Sequence, residues 1–146
     1  MTTESTIIIR APKQAIFDSA ADLSRWPELL PHYRYITYLE RGTDRHIVKM
    51  AAHRDGIPIS WVSEQVIDRE RLEIRFTHLR AFTKGMGVVW SFEEKPEGTL
   101  VRIVHVLNFR IPFLAPVADR IIGGFFIDNI AHKTLAAFKA HLEARP

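Results

Sequence analysis

The chain has 146 residues, 47% of them hydrophobic and 25% charged, close to the globular mean. A chain of this length buries about 70% of its unfolded surface, so residues 1–146 are expected to form one domain, and disorder is excluded as a global description. There is no cysteine, which excludes a disulfide scaffold, a thiolate metal site and a cysteine nucleophile, and the composition is compatible with the cytoplasm. Twenty Lys+Arg stand against seventeen Asp+Glu, a net charge of +3 without a basic run, so DNA is not an expected partner.

Thr6–Arg10 reads as a short strand, because Ile7, Ile8 and Ile9 are β-branched. Its polar start and short apolar run do not make a signal peptide. Pro12 stops the strand and suits the first turn of a helix over Lys13–Leu23, with Ile16, Ala20 and Leu23 on one face. A second short helix holding Trp26 is predicted before Pro31. From Tyr33 the pattern changes to period two. The predicted strands are Arg34–Glu40, Arg45–Arg54, Ile57–Ile67, Leu72–Leu79, Gly85–Lys95 and Leu100–Arg110. Asp55-Gly56 is a strong hairpin signal between the second and third of these.

The tail carries Phe113, Val117, Ile121, Gly124, Ile127, Ala131, Leu135, Phe138 and Leu142 at helical spacing, which predicts one long helix over Phe113–Ala144. Gly123 and Gly124 weaken it by about 2 kcal/mol relative to alanine and mark a kink or a close approach. The apolar stretch Ile111–Ile130 is broken by Pro112, Pro116, Asp119, Arg120 and Asp128, so no transmembrane segment is expected. The order is strand, short helices, a hairpin-connected antiparallel run, then a long helix: an α+β class.

Local phrases sharpen that order. Arg10–Phe17 (RAPKQAIF), Ala21–His32 (ADLSRWPELLPH), Trp61 and the closing Phe138–Leu142 segment resemble the START-like or SRPBCC superfamily, in its polyketide cyclase/dehydrase or coenzyme-Q-binding-like branch. The resemblance covers nearly the whole chain. It implies a helix-grip fold, in which a curved antiparallel sheet wraps a long C-terminal helix around an apolar cavity. On residue chemistry alone, Trp26 and Leu29 read as a packing device that plugs the short helices into the sheet.

No nucleophile elbow, phosphate loop, dinucleotide fingerprint or H-E-x-x-H run is present, and the seven histidines have no ligand spacing. No metal and no cofactor are expected. Strand parity places Glu64, Glu73, Arg75, Glu93 and Arg102 outward. It therefore places Met50, Trp61, Phe76, His78, Trp90, Phe92, His105 and Leu107 on the inner face, with Val48, Ala52, Ser63, Gln65, Ile74 and Ile103. Val117 and Ile121 of the tail face them. A packed core satisfies this inventory; the resemblance implies instead that it lines a ligand cavity.

His78 and His105 interrupt apolar faces and are the candidate proton carriers, or ligand hydrogen-bonding groups. Trp61 and Trp90 suit stacking on a ring, and equally serve as core fillers. Arg34 and Arg54 read as solvated. Phe82 with Lys84, and Phe113–Pro116 beside Arg110, are apolar segments that would suit a cavity mouth. Three functions follow. The first is binding of a hydrophobic small molecule (lipid, quinone or polyketide-like). The second, implied by the resemblance, is cyclase/dehydrase catalysis by aldol cyclisation and loss of water. The third is an interaction protein resembling a ribosome-associating toxin. The exposed edge of a curved sheet also admits a homodimer.

Overall fold

The computed structural model describes residues 2–80, 83–106 and 127–144. The elements are β1 (Thr2–Ile9), α1 (Lys13–Ala21), a 3-10 turn (Leu23–Arg25), α2 (Trp26–Leu29), β2 (Tyr33–Arg41), β3 (Arg45–Arg54), β4 (Ile57–Asp68), β5 (Glu73–His78), β6 (Gly87–Lys95), β7 (Gly98–Val106) and α3 (Asp128–Glu143). The strands form one antiparallel sheet in the order β1-β7-β6-β5-β4-β3-β2. Six strands are thus a meander, and β1 returns to pair with the last of them. The α+β order read from the sequence holds.

Local chemistry explains the turns. Asp55 and Gly56 have φ of 50° and 88°, the paired positive values that a two-residue hairpin of matching twist requires, and Arg54 faces Ile57 across it. Asp68 accepts backbone N–H groups from Glu70 and Arg71 at 3.1 and 3.0 Å, closing the next turn. Leu72 lies in that turn at φ 53°, so β5 begins at Glu73, one residue later than the predicted strand. Gly85 has φ 90° and belongs to the β5–β6 loop rather than to β6. β1 starts at Thr2, four residues earlier than the predicted start at Thr6, because Thr2–Ser5 pair with Val106–Ile103 and Ser5 is buried.

The C-terminus of α1 is capped from a distance. Its last carbonyls have no partner within the helix. Trp26 Nε1 donates to Ala20 O at 3.1 Å, and Gln65 Nε2 donates to Ala21 O at 3.2 Å. Two side chains thereby pin α1 to α2 and to the inner face of β4.

Helix α3 lies against β1, β3 and α2. It buries Ala131, Leu135, Phe138 and Leu142, which the spacing predicts, and Ile130 and Thr134 beside them, which it does not. The predicted stretch 113–126 lies outside the described residues. At its far end, Lys139 Nζ donates to Ile8 O at 2.8 Å, and Glu143 accepts from Arg10 N at 2.9 Å. On the other edge, β2 is bulged at Tyr33/Tyr35 and at Tyr38/Glu40, irregularities that blunt an edge strand. Among the described residues no helix is long and apolar enough to cross a membrane.

Candidate functional site

A cavity of about 290 Å³ lies between the inner face of the sheet and α3. Strands β3, β4 and β5 contribute Met50, Ile59, Trp61, Phe76 and His78, with Ser60 beside Trp61. Strands β6 and β7 contribute Val88, Trp90, Ile103 and His105. Trp26 and Tyr33 close it from the α2–β2 side, Ile127 from just ahead of α3, and Ile130, Ala131 and Thr134 from α3 itself. The β5–β6 loop adds Thr83 and Met86.

Seven residues picked by parity therefore meet here: Met50, Trp61, Phe76, His78, Trp90, Ile103 and His105. Phe92 has the same parity but does not line the cavity. It lies farther along β6, edge-on to Phe17 of α1 at 5.9 Å, and is part of the packing under that helix. Leu107, Val117 and Ile121 fall outside the described residues, as do Phe82, Arg110 and Phe113–Pro116.

The walls are strongly aromatic. Trp26 contacts Tyr33, Phe76, Trp90 and Phe138 with ring centroids at 5.1–6.3 Å. It is both the packing device expected and a wall of the cavity. The Trp61 ring is parallel to that of His78, 3° apart in plane and 5.9 Å between centroids, and lies edge-on to Tyr33 at 6.0 Å.

Two polar spots interrupt this apolar surface. In the first, His78 Nδ1 is 2.8 Å from Thr83 Oγ1. The loop is folded back on His78: its N–H donates to Met86 O at 2.9 Å and its carbonyl accepts from Gly85 N at 2.8 Å. His78 is near enough to His105 to disfavour its charged form. Burial lowers the pKa of His78 to about 4, and burial, then the neighbouring His78, lowers that of His105 to about 4. Both are neutral at pH 7. His105 Nδ1 is sealed and has no partner among the described residues.

In the second spot, His32 Nε2 is 2.8 Å from Thr134 Oγ1, and the Thr134 hydroxyl donates to Ile130 O at 2.7 Å. Because the threonine hydrogen is already placed, the imidazole is the donor. Tyr33 also bonds Thr134, and burial pushes its hydroxyl well above the usual tyrosine range. Burial, with Lys133 and His53 nearby, lowers the His32 pKa to about 4. His32, Tyr33 and Thr134 were not singled out from the sequence. Thr134 does lie three and four residues from Ala131 and Ile130 on the buried stripe, the one signal that points to it.

The two arginines differ from each other. Arg34 is exposed, its guanidinium 5.9 Å from the Tyr35 ring. Arg54 is ion-paired with Asp55 at 3.0 Å, and Lys133 of α3 reaches the same carboxylate at 3.2 Å. Lys133, then Arg54, hold the Asp55 carboxyl below the usual range.

The family model described as "polyketide cyclase / dehydrase and lipid transport" matches residues 9–139. A Streptomyces cyaneus protein provisionally named a polyketide cyclase is 37% identical over 120 residues, 80% of this chain and 78% of that protein. The actinorhodin polyketide synthase bifunctional cyclase/dehydratase of Streptomyces coelicolor is 26% identical over 96% of this chain, which spans 43% of that enzyme. Among solved structures, the Zhui aromatase/cyclase of Streptomyces sp. R1128 superposes with a TM-score of 0.84 at 18% identity, covering 99% of this chain and 94% of that one. A START superfamily protein of Mycobacterium smegmatis gives 0.74 at 13% identity, covering 97% of each. At these identities the structures speak for the fold, which is the START-like helix-grip.

Proposed function

Because the chain belongs to the polyketide cyclase/dehydrase and lipid transport family, we propose that its cavity binds a hydrophobic small molecule of lipid, quinone or polyketide-like character. The observation that carries this reading is the cavity itself, walled by Trp26, Tyr33, Trp61, Phe76 and Trp90. A flat ring system that loses about 200 Å² of apolar surface to such walls gains roughly 5 kcal/mol. Association costs about 4 kcal/mol or more, so apolar contact alone leaves weak affinity. The polar spots must then contribute to both affinity and orientation.

The test is mass spectrometry of an organic extract from freshly purified protein, paired with native mass spectrometry of the intact chain. A stoichiometric lipid, quinone or polyketide-like adduct supports a carrier. A clean apo mass removes the case for a tight carrier.

One observation favours a second reading, cyclase/dehydrase catalysis. His78 and His105 stand together as neutral imidazoles in the cavity wall, where a group that moves protons between carbon and oxygen is needed for aldol closure and loss of water. Relatives bearing that activity in their names support it. With a poly-β-keto thioester as substrate, His78→Phe and His105→Phe in an enzyme lower kcat at nearly constant affinity. In a carrier they lower affinity only.

A further inference from the structure

We infer that the end of the sheet at which the cavity opens is a docking surface for an anionic lipid bilayer, with the tip of the β3–β4 hairpin entering it at Ile57 and Pro58. This goes beyond the cavity reading above: it concerns the surface from which the cavity is filled, not what fills it.

The opening is marked by the residues that line the cavity and still meet solvent. Ser60 is exposed, and Ile59, Trp61 and Thr83 are half-buried. They lie at the start of β4 and in the β5–β6 loop. Leu79 N donates to Val62 O at 2.9 Å, which continues the β4–β5 register and sets Arg80 beside the start of β4. On the other side, His53 N donates to His32 O at 2.9 Å, which brings the start of β2 alongside.

This end is apolar where it projects and basic around that point. Ile57 is 43% exposed at the tip, and Pro58 beside it is exposed. Tyr35, also exposed, carries the Arg34 guanidinium and the Lys49 ammonium, each 5.9 Å from its ring centroid. A tyrosine flanked by cations suits the boundary between headgroups and hydrocarbon. Arg80 and Lys84 are exposed in the loop, and Arg54 and Lys133 share the Asp55 carboxylate. Among the described residues of segments 30–35, 53–58, 78–87 and 128–133, five cations stand against two acids. The three turns at the opposite end, 41–45, 68–73 and 93–98, hold five cations against seven acids. The chain therefore presents its basic end, and its cavity, to an anionic surface.

The exposed isoleucine decides the kind of partner. A soluble polyanion would use the cations and leave Ile57 in water, whereas a bilayer takes up both. A bilayer docked here also lets an apolar molecule reach the cavity without crossing water. Each cation near such a surface is worth about a fivefold factor in partitioning, and so is one isoleucine of this exposure.

The full chain is mixed with vesicles of phosphatidylcholine, with or without phosphatidylglycerol, and the bound fraction is read by sedimentation. The wild type is expected to bind the anionic vesicles, to ignore the neutral ones, and to dissociate as salt is raised. Ile57→Ser is expected to weaken binding about fivefold, and Arg80→Ser with Lys84→Ser more than tenfold. Lys95→Ser, at the opposite end, should change nothing. All these side chains are exposed, and circular dichroism checks that the variants stay folded. No binding to anionic vesicles overturns the inference, as does a loss in Lys95→Ser equal to that at the loop. Binding indifferent to Ile57→Ser and displaced by polyglutamate identifies an acidic protein partner and overturns it too. An extracted hydrophobic molecule without vesicle binding overturns this inference alone; vesicle binding by a chain that holds no such molecule leaves it standing while the tight-carrier reading falls.

Discussion

His32 and His78 make the same contact in two different settings. Each is buried, each is lowered to a pKa of about 4, and each has a ring nitrogen 2.8 Å from a threonine hydroxyl. At the junction of β2 and α3, Thr134 gives its hydrogen to Ile130 O and so takes the proton of His32. At the β5–β6 loop, Thr83 has no second partner among the described residues, so the His78–Thr83 pair holds one hydrogen more than it can place within itself. The first histidine is spent on tying α3 to the start of β2; the second, with Thr83, leaves a polar group on the cavity wall. Burial and distance do not separate them. The threonine's other partner does.

The largest expected effect breaks the His32 side. Thr134→Val removes the buried hydroxyl that His32 meets at 2.8 Å, and loss of that bond is expected to cost about 2 kcal/mol in urea denaturation. Thr83→Val, facing a cavity, is expected to cost under about 1 kcal/mol. Equal losses would erase the contrast.

Acid titration sharpens it further. The His32 pKa is depressed from 6.5 to about 4 in the folded chain, so the unfolded chain takes up the proton first as pH falls. Stability is therefore intact above about pH 6.5 and declines progressively to about pH 4, by on the order of 3 kcal/mol for this group. His32→Asn should flatten that slope. His78 is lowered to the same value by burial, so His78→Phe should flatten the slope by a similar amount; a slope left unchanged by both variants would contradict the burial of these imidazoles.

His78→Phe is expected to weaken naphthoquinone binding about tenfold, with little loss of stability, read by fluorescence and thermal melting together. The smallest effect belongs to the surface tie. Lys133→Met removes an exposed ion pair with Asp55 and should leave Tm within measurement error.

Much of this was legible in the sequence because strand parity is a strict rule. One residue in two faces inward, and Met50, Trp61, Phe76, His78, Trp90 and His105 follow it without exception. Parity is silent on position along the strand, which is why Phe92 is found under α1 rather than in the cavity. It is also silent off the strands. Thr83 and Met86 reach the cavity only because Gly85 turns the loop back, and Tyr33 meets Thr134 across a sequence gap that no local pattern spans. Trp26 was read as packing and is packing; that it also walls the cavity depends on what α3 leaves empty beside it.

The strand order carries a consequence in time. Every neighbour in the sheet but one is joined directly by the turn or loop that follows it in the chain, whereas β1 pairs Thr2 with Val106 and Ile9 with Thr99. The first segment of the chain must await the last strand, and its ties to Lys139 and Glu143 await α3 as well. Local hairpins form ahead of such long-range closures. Removing the Lys139 tie is therefore expected to speed unfolding and leave the folding rate nearly unchanged. A cavity bounded by α3 is completed only at that final step, so a ligand has its full site only in the finished fold and acts on how long that fold lasts, not on how soon it appears.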